Sequence, residues 1–99
     1  MFHIVVCDDD QRIANHVKDL LEENFNSGIS CKCIYNADDL HDWIYKQDNG
    51  QTNILILDIA LGEADGITIA KQIRDDYPQI KVILLSGYAQ LASSVFDAD

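Results

Sequence analysis

Four apolar residues in a row, Ile54, Leu55, Ile56 and Leu57, run straight into Asp58 in the stretch ILILDIALGEADG. A continuous run of β-branched residues and leucine of this length suits a strand buried on both faces. Such strands belong to parallel sheets with helices packed on either side, so strands and helices must alternate along the chain. An acid that ends the strand then sits on the carboxyl edge of the sheet, where open α/β sheets bind ligands. Asp58 is therefore the first candidate functional residue.

The rest of the chain supplies the alternation. Phe2–Cys7 is an apolar run that ends in Asp8-Asp9-Asp10, and His3 within it reads as a strand-face or capping residue rather than a ligand. A helix follows from about Gln11 to Phe25, capped by Asp10 and ended by Asn26-Ser27-Gly28; Ile13, Val17, Leu20, Leu21 and Asn24 fall at helical spacing. Cys31–Tyr35 alternates as a half-exposed edge strand would. Asn36 is placed to cap the next helix, which carries Asp38 and Asp39 in its first turn and Leu40, Trp43 and Ile44 on its apolar side. That helix stops at Asp48-Asn49-Gly50, and Trp43 reads as a core residue. After the central strand, a helix from Gly66 to Tyr77 buries Ile69, Ala70 and Ile73 and halts at Pro78. Val82–Leu85 is a further apolar strand ending in Ser86-Gly87, and the tail Ala89–Asp99 sets Leu91 and Val95 at the spacing of a short helix.

The order βαβαβαβ, uninterrupted by linker or repeat, implies one domain: a parallel sheet with right-handed crossovers and helices on both faces. With the second strand at an edge and the first, third and fourth buried, the expected strand order is 2-1-3-4, the flavodoxin-like doubly wound α/β arrangement. Its switch point lies between the first and third strands.

Charge and cysteine content narrow the function. Seventeen acids against seven Lys and Arg give a net charge of -10, which disfavours nucleic-acid binding by this segment, since phosphate backbones require basic patches. The cysteines Cys7, Cys31 and Cys33 offer one C-x-C and no second pair. Zinc is thus poorly supported, and reduced, buried thiols are expected. The opening MFHIVVCDDD has no cationic segment of a signal peptide, and no apolar run approaches the ~20 residues of a membrane span. A cytoplasmic location is expected.

The expected topology brings the acids together. Asp8 and Asp9 end the first strand and Asp58 the third, and neighbouring strands lie roughly 4.8 Å apart. Bare, three such carboxylates repel and raise one another's pKa; a divalent cation relieves this, and an all-oxygen set suits Mg²⁺ or Mn²⁺. The simpler alternative, acids that only cap helices, suits Asp10. Ser86 ends the adjacent strand on the same edge, its hydroxyl able to donate toward an oxygen held near Asp58, and Gly87 lets the backbone approach that oxygen. A cation, a carboxylate and a hydroxyl form a phosphoryl-transfer set, with Asp58 as nucleophile.

At this point the chain resembles the receiver domain of two-component response regulators, a CheY-like family. Asp8-Asp9 is similar to its acidic pair, Asp58 in LILDIALGEADG to its phosphoacceptor, and Ser86-Gly87 in VILLSGY to its switch hydroxyl and small neighbour. The wording VVCDDDQ and LLSGYA is similar to the subfamily fused to LytTR-type DNA-binding domains. The resemblance implies a sensor histidine kinase as phosphoryl donor and an output domain in a longer parent. It also implies a backbone-carbonyl cation ligand at Ala60, and side chains at Ala60 and Tyr88 that tune phosphate lifetime.

Two departures follow from the same resemblance. The family usually has Met-Pro or Leu-Pro after the acceptor, where this chain has Leu61-Gly62. The family also ends a fifth strand in a lysine that pairs with the phosphoryl group; here Lys81 lies roughly 16 Å back along its strand from Ser86, and Lys71 belongs to a helix body. Residues 1–99 thus read as a receiver domain lacking the fifth strand, expected to bind the cation but to phosphorylate or signal poorly. The Val82–Leu85 edge is expected to be covered by a second copy or by the tail. Two alternatives remain: an interaction module that never takes phosphate, and a small metal-dependent phosphatase. Against the phosphatase, Ala60 stands where the haloacid-dehalogenase type wants a second acid. No separate enzymatic activity is expected.

Overall fold

The computed structural model describes residues 1–25, 27–48 and 50–85. Ser86, Gly87, Tyr88 and the tail lie outside the described residues. The elements are β1 (Phe2–Cys7), α1 (Gln11–Asn24), β2 (Ile29–Ile34), α2 (Ala37–Asp42), β3 (Ile54–Asp58), the short β4 (Ala60–Leu61) and β5 (Ala64–Asp65), α3 (Gly66–Asp76) and β6 (Lys81–Leu85). The main sheet runs β2-β1-β3-β6 with every pairing parallel, the order expected from the buried and edge patterns.

The helix starts are set by side chains that take up main-chain N–H groups left unpaired in a first turn. Asp10 accepts from the Arg12 N–H at 3.0 Å, Asn36 from Asp39 at 2.7 Å and Asp65 from Ile67 at 3.0 Å. α3 ends where Pro78 follows Tyr77, whose N–H bonds the Ile73 carbonyl at 2.7 Å.

Period-two alternation splits β1 between two cores. Val5 and Cys7 face one side, packed with Leu55, Leu57, Leu40, Ile44 and Ile73 beneath α2 and α3. Ile4 and Val6 face the other, packed with Ala14, Val17 and Leu21 of α1. On the α1 side, coverage thins away from β1. Ile54 and Ile56 of β3 are half-buried there, and Ile83 of β6 is 40% exposed. The expectation that β3 and β6 are buried on both faces therefore holds only for the α2/α3 side, because α1 reaches only the β1 half of the sheet among the described residues.

Other boundaries and faces differ from the sequence reading. β2 starts at Ile29 rather than Cys31, extended by pairing of Phe2 with Ile29, and stops before Tyr35. β6 begins at Lys81, paired with Ile54. The helix expected to run unbroken to Gln47 changes pitch: Trp43–Gln47 forms a π-turn, closed by the Asp48 N–H on the Trp43 carbonyl at 2.9 Å. Trp43 is only half-buried, with the Lys32 ammonium 4.6 Å from its ring centre. On α1 the buried stripe centres on Ala14 at 0% exposure, leaving Ile13 and Leu20 at 47% and 45%. The spacing fitted both stripes, and close approach to the sheet selects the small side chain. Between β3 and α3 the chain makes a two-residue hairpin, with β4 and β5 antiparallel.

Candidate acidic site at the carboxyl edge of the sheet

The β1–β3 register ends at Cys7 opposite Leu57, so the next residues, Asp8 and Asp58, emerge side by side on one rim. Asp8 is tied to β2 through its N–H on the Ile34 carbonyl at 3.1 Å, and Ile59 to β6 through the Leu85 carbonyl at 2.9 Å. Each of Asp8, Asp9 and Asp58 offers a carboxylate oxygen such that all three lie within 4.8 Å of one another. The sequence placed these acids together, and the structure brings them together.

Their exposure is graded: Asp8 is buried, Asp58 half-buried and Asp9 exposed. Each also accepts one main-chain N–H. Asp8 Oδ1 takes that of Asp10 at 2.9 Å and Asp58 Oδ1 that of Ala60 at 3.2 Å, both two residues along the chain. Asp9 Oδ2 takes that of Gly62 at 3.1 Å. These bonds fix three carboxylates in a cluster that Coulomb repulsion would otherwise spread.

The repulsion shows in the proton affinities. Burial pushes the Asp8 carboxyl up to about 6, and the charges of Asp58 and Asp9 add to it, against the lowering by the Asp10 N–H. Burial also raises Asp58, with Asp9 adding, while the Ala60 N–H and a hydrogen bond from Asp8 pull it down. The pair titrates jointly. Beneath it the Cys7 thiol is pushed up to about 12, chiefly by burial and then by Asp8, so it stays protonated and unreactive.

A cation would fit this donor set: hard oxygens only, mutually close, and uncomfortable when all charged. Asp8, Asp9 and Asp58 would hold it. Ala60 lies in β4, two residues past Asp58. Ser86 and Gly87 lie outside the described residues. Lys81 is at the far end of β6, paired with Ile54 while Leu85 pairs with Asp58, so it cannot serve the rim.

Sequence reasoning missed two glycines. A Cβ on Gly66 would lie 2.4 Å from the Asp58 carbonyl oxygen and 2.8 Å from Ile59 Cα, so only glycine lets α3 start against the backbone of Asp58 and Ile59. The expected helix start at Gly66 gave no sign of this approach. Gly62 supplies the amide that holds Asp9, and main-chain donors leave no letter in the sequence.

Comparison with known proteins agrees with the fold. The family described as response regulator receiver domain matches residues 4–98. Transcriptional regulatory protein ComA of Bacillus subtilis is 28% identical over 89 residues, covering 89% of this chain and 40% of the relative. This chain therefore spans less than half that relative's length. The signal receiver domain of a DNA-binding response regulator from Colwellia psychrerythraea superposes with a TM-score of 0.78 at 26% identity, covering 88% of this chain and 69% of that one. Response regulator protein TrrA from Thermotoga maritima, solved in complex with Mg(2+)-BeF, superposes with a TM-score of 0.75 at 28% identity, covering 96% and 77%.

Proposed function

This chain belongs to the response regulator receiver family, and on that premise we propose that Asp58 accepts a phosphoryl group beside a divalent cation held by Asp8, Asp9 and Asp58. The observation that carries the reading is the convergence of the three carboxylates within 4.8 Å at the carboxyl rim. The similarity to a receiver solved with Mg(2+)-BeF supports Mg²⁺ as the cation.

In the proposed reaction an Asp58 carboxylate oxygen forms a bond to phosphorus while the P–N bond of a phosphohistidine donor breaks. The departing imidazole nitrogen takes its proton from solvent. When bound, the cation neutralises charge on the transferred group. The protein's part is positioning: Asp58 is steered by the Ala60 N–H, and Asp8 keeps a second carboxylate against it. Ala60 would add its backbone carbonyl to the cation, a role supported by the resemblance alone, and Ser86 with Gly87 would receive the phosphoryl oxygens, supported by their place after the adjacent strand and by the resemblance.

The donor is proposed to be a cytoplasmic sensor histidine kinase. The output in a longer parent is proposed to be DNA-binding, supported by the transcriptional and DNA-binding relatives, and of LytTR type by the wording around Asp8 and Ser86. No helix among the described residues is long and apolar enough to cross a membrane.

Incubation with Mg²⁺ and acetyl phosphate, followed by intact-protein mass measurement, tests the reading. A labile phosphate adduct absent from Asp58→Ala is expected. Turnover of phosphodonor without adduct would indicate a phosphatase instead, and neither adduct nor turnover an interaction module.

A further inference from the structure

The three carboxylates are anchored unequally. Asp8 and Asp58 each close a local turn on an N–H two residues on, so their side chains are fixed by their own strand ends. Asp9 is the exposed member. Its one side-chain hydrogen bond among the described residues comes from Gly62, 53 residues away in sequence.

Gly62 can give this bond for two reasons. It opens the two-residue turn between β4 and β5, with φ +62, as hairpin turns with φ above zero at their first central residue require. It also carries an N–H. The resembled family usually has proline at this position, and proline has no N–H and a φ near −65°. The Leu61-Gly62 departure therefore adds a donor that aims at a cation ligand.

We propose that the Gly62 main-chain amide is the positioning donor of Asp9, holding Oδ2 so that this exposed carboxylate is already set for the cation. The β4–β5 hairpin is then part of the cation site, and cation affinity reports on the conformation of the turn. This inference rests on the cation reading above. It goes beyond that reading by giving a role to a residue whose side chain cannot touch the ion.

A double-mutant cycle read by Mg²⁺ calorimetry tests it. Gly62→Pro removes the N–H and is expected to weaken Mg²⁺ binding by about fivefold to tenfold, the scale of one ordinary hydrogen bond. In an Asp9→Ala background the same change is expected to alter affinity by less than about twofold, since the amide has lost its target. Gly62→Asn keeps the N–H and tolerates positive φ, so it recovers the affinity. Equal losses in both backgrounds, or a loss with Gly62→Asn as large as with Gly62→Pro, would overturn the proposal in favour of a general loop effect. The Gly62 amide proton resonance in metal-free protein gives an independent reading. It moves upfield in Asp9→Ala if the bond exists, and an unmoved resonance refutes it even where Asp9→Ala binds too weakly to titrate. Failure of the wild-type protein to bind Mg²⁺ would instead refute the cation site and leave the amide reading to judge the bond.

Discussion

Two aspartates of this domain are almost equally buried, Asp8 at 4% exposure and Asp48 at 6%, yet they sit in opposite company. Asp8 lies at the carboxyl rim against two further carboxylates. Asp48 follows the π-turn, where its Oδ2 accepts the Thr52 N–H at 2.7 Å and its carbonyl accepts the Gln51 N–H at 3.2 Å. Each carboxylate accepts one main-chain N–H, but only Asp8 also faces like charge. A buried carboxylate with donors closes a turn. A buried carboxylate that also faces other carboxylates is one that a positive partner would relieve.

Exchanging each acid for its amide or for alanine should pull the two roles apart. The largest effect is expected from Asp8→Asn: Mg²⁺ affinity falls more than about tenfold, or 1.4 kcal/mol, while the metal-free protein becomes more stable because a crowded charge is gone. Calorimetry and urea unfolding measure both. Loss of both affinity and metal-free stability would break the contrast. Mg²⁺ at about 100 times its Kd should stabilise the wild type by about 2.7 kcal/mol, and Asp8→Asn by far less. Asp48→Ala should leave Mg²⁺ affinity unchanged but cost about 1–3 kcal/mol, the penalty for orphaning the buried Thr52 N–H.

The pH dependence sharpens the same contrast. Asp8 is raised from its usual 3.8 to about 6, so the folded state holds this proton more tightly than the unfolded chain. Its stabilising contribution is complete below about pH 4 and lost as pH rises through about 6. Asp58 shifts in the same direction. The metal-free wild type should therefore lose stability relative to Asp8→Asn across that window, and Mg²⁺ affinity should climb through it as protons are displaced. A stability difference between the two proteins that does not change with pH would contradict this. The smallest expected effect is at a helix cap whose side chain bonds only Asp39 of its own first turn: Asn36→Ala should cost about 1 kcal/mol without altering the Mg²⁺ isotherm.

The fold was legible where a segment's own pattern decides its place. β1 and the N-caps Asp10 and Asn36 follow from apolar runs stopped by Asp or Asn, and the strand order from which runs are interrupted by polar residues. The carboxylate triad followed because the switch point and the strand-end acids coincide. What stayed hidden depends on neighbours. β4 and β5 are two residues each, too short for periodicity, and Gly62-Glu63 lacks the usual Asn-Gly turn signature. Ile13 and Leu20 shared the helical spacing of the buried stripe, and only the fit of Ala14 against the sheet separates them. The π-turn after Asp42 has no mark in the residues at all.

Gly66 binds two motions into one. With no room for even a methyl group between its Cα and the main chain of residues 58 and 59, the first turn of α3 and the peptide after Asp58 have no slack between them. A side chain there must push the peptide after Asp58 and the start of α3 apart, so Gly66→Ala should disturb the rim and the first turn of α3 together.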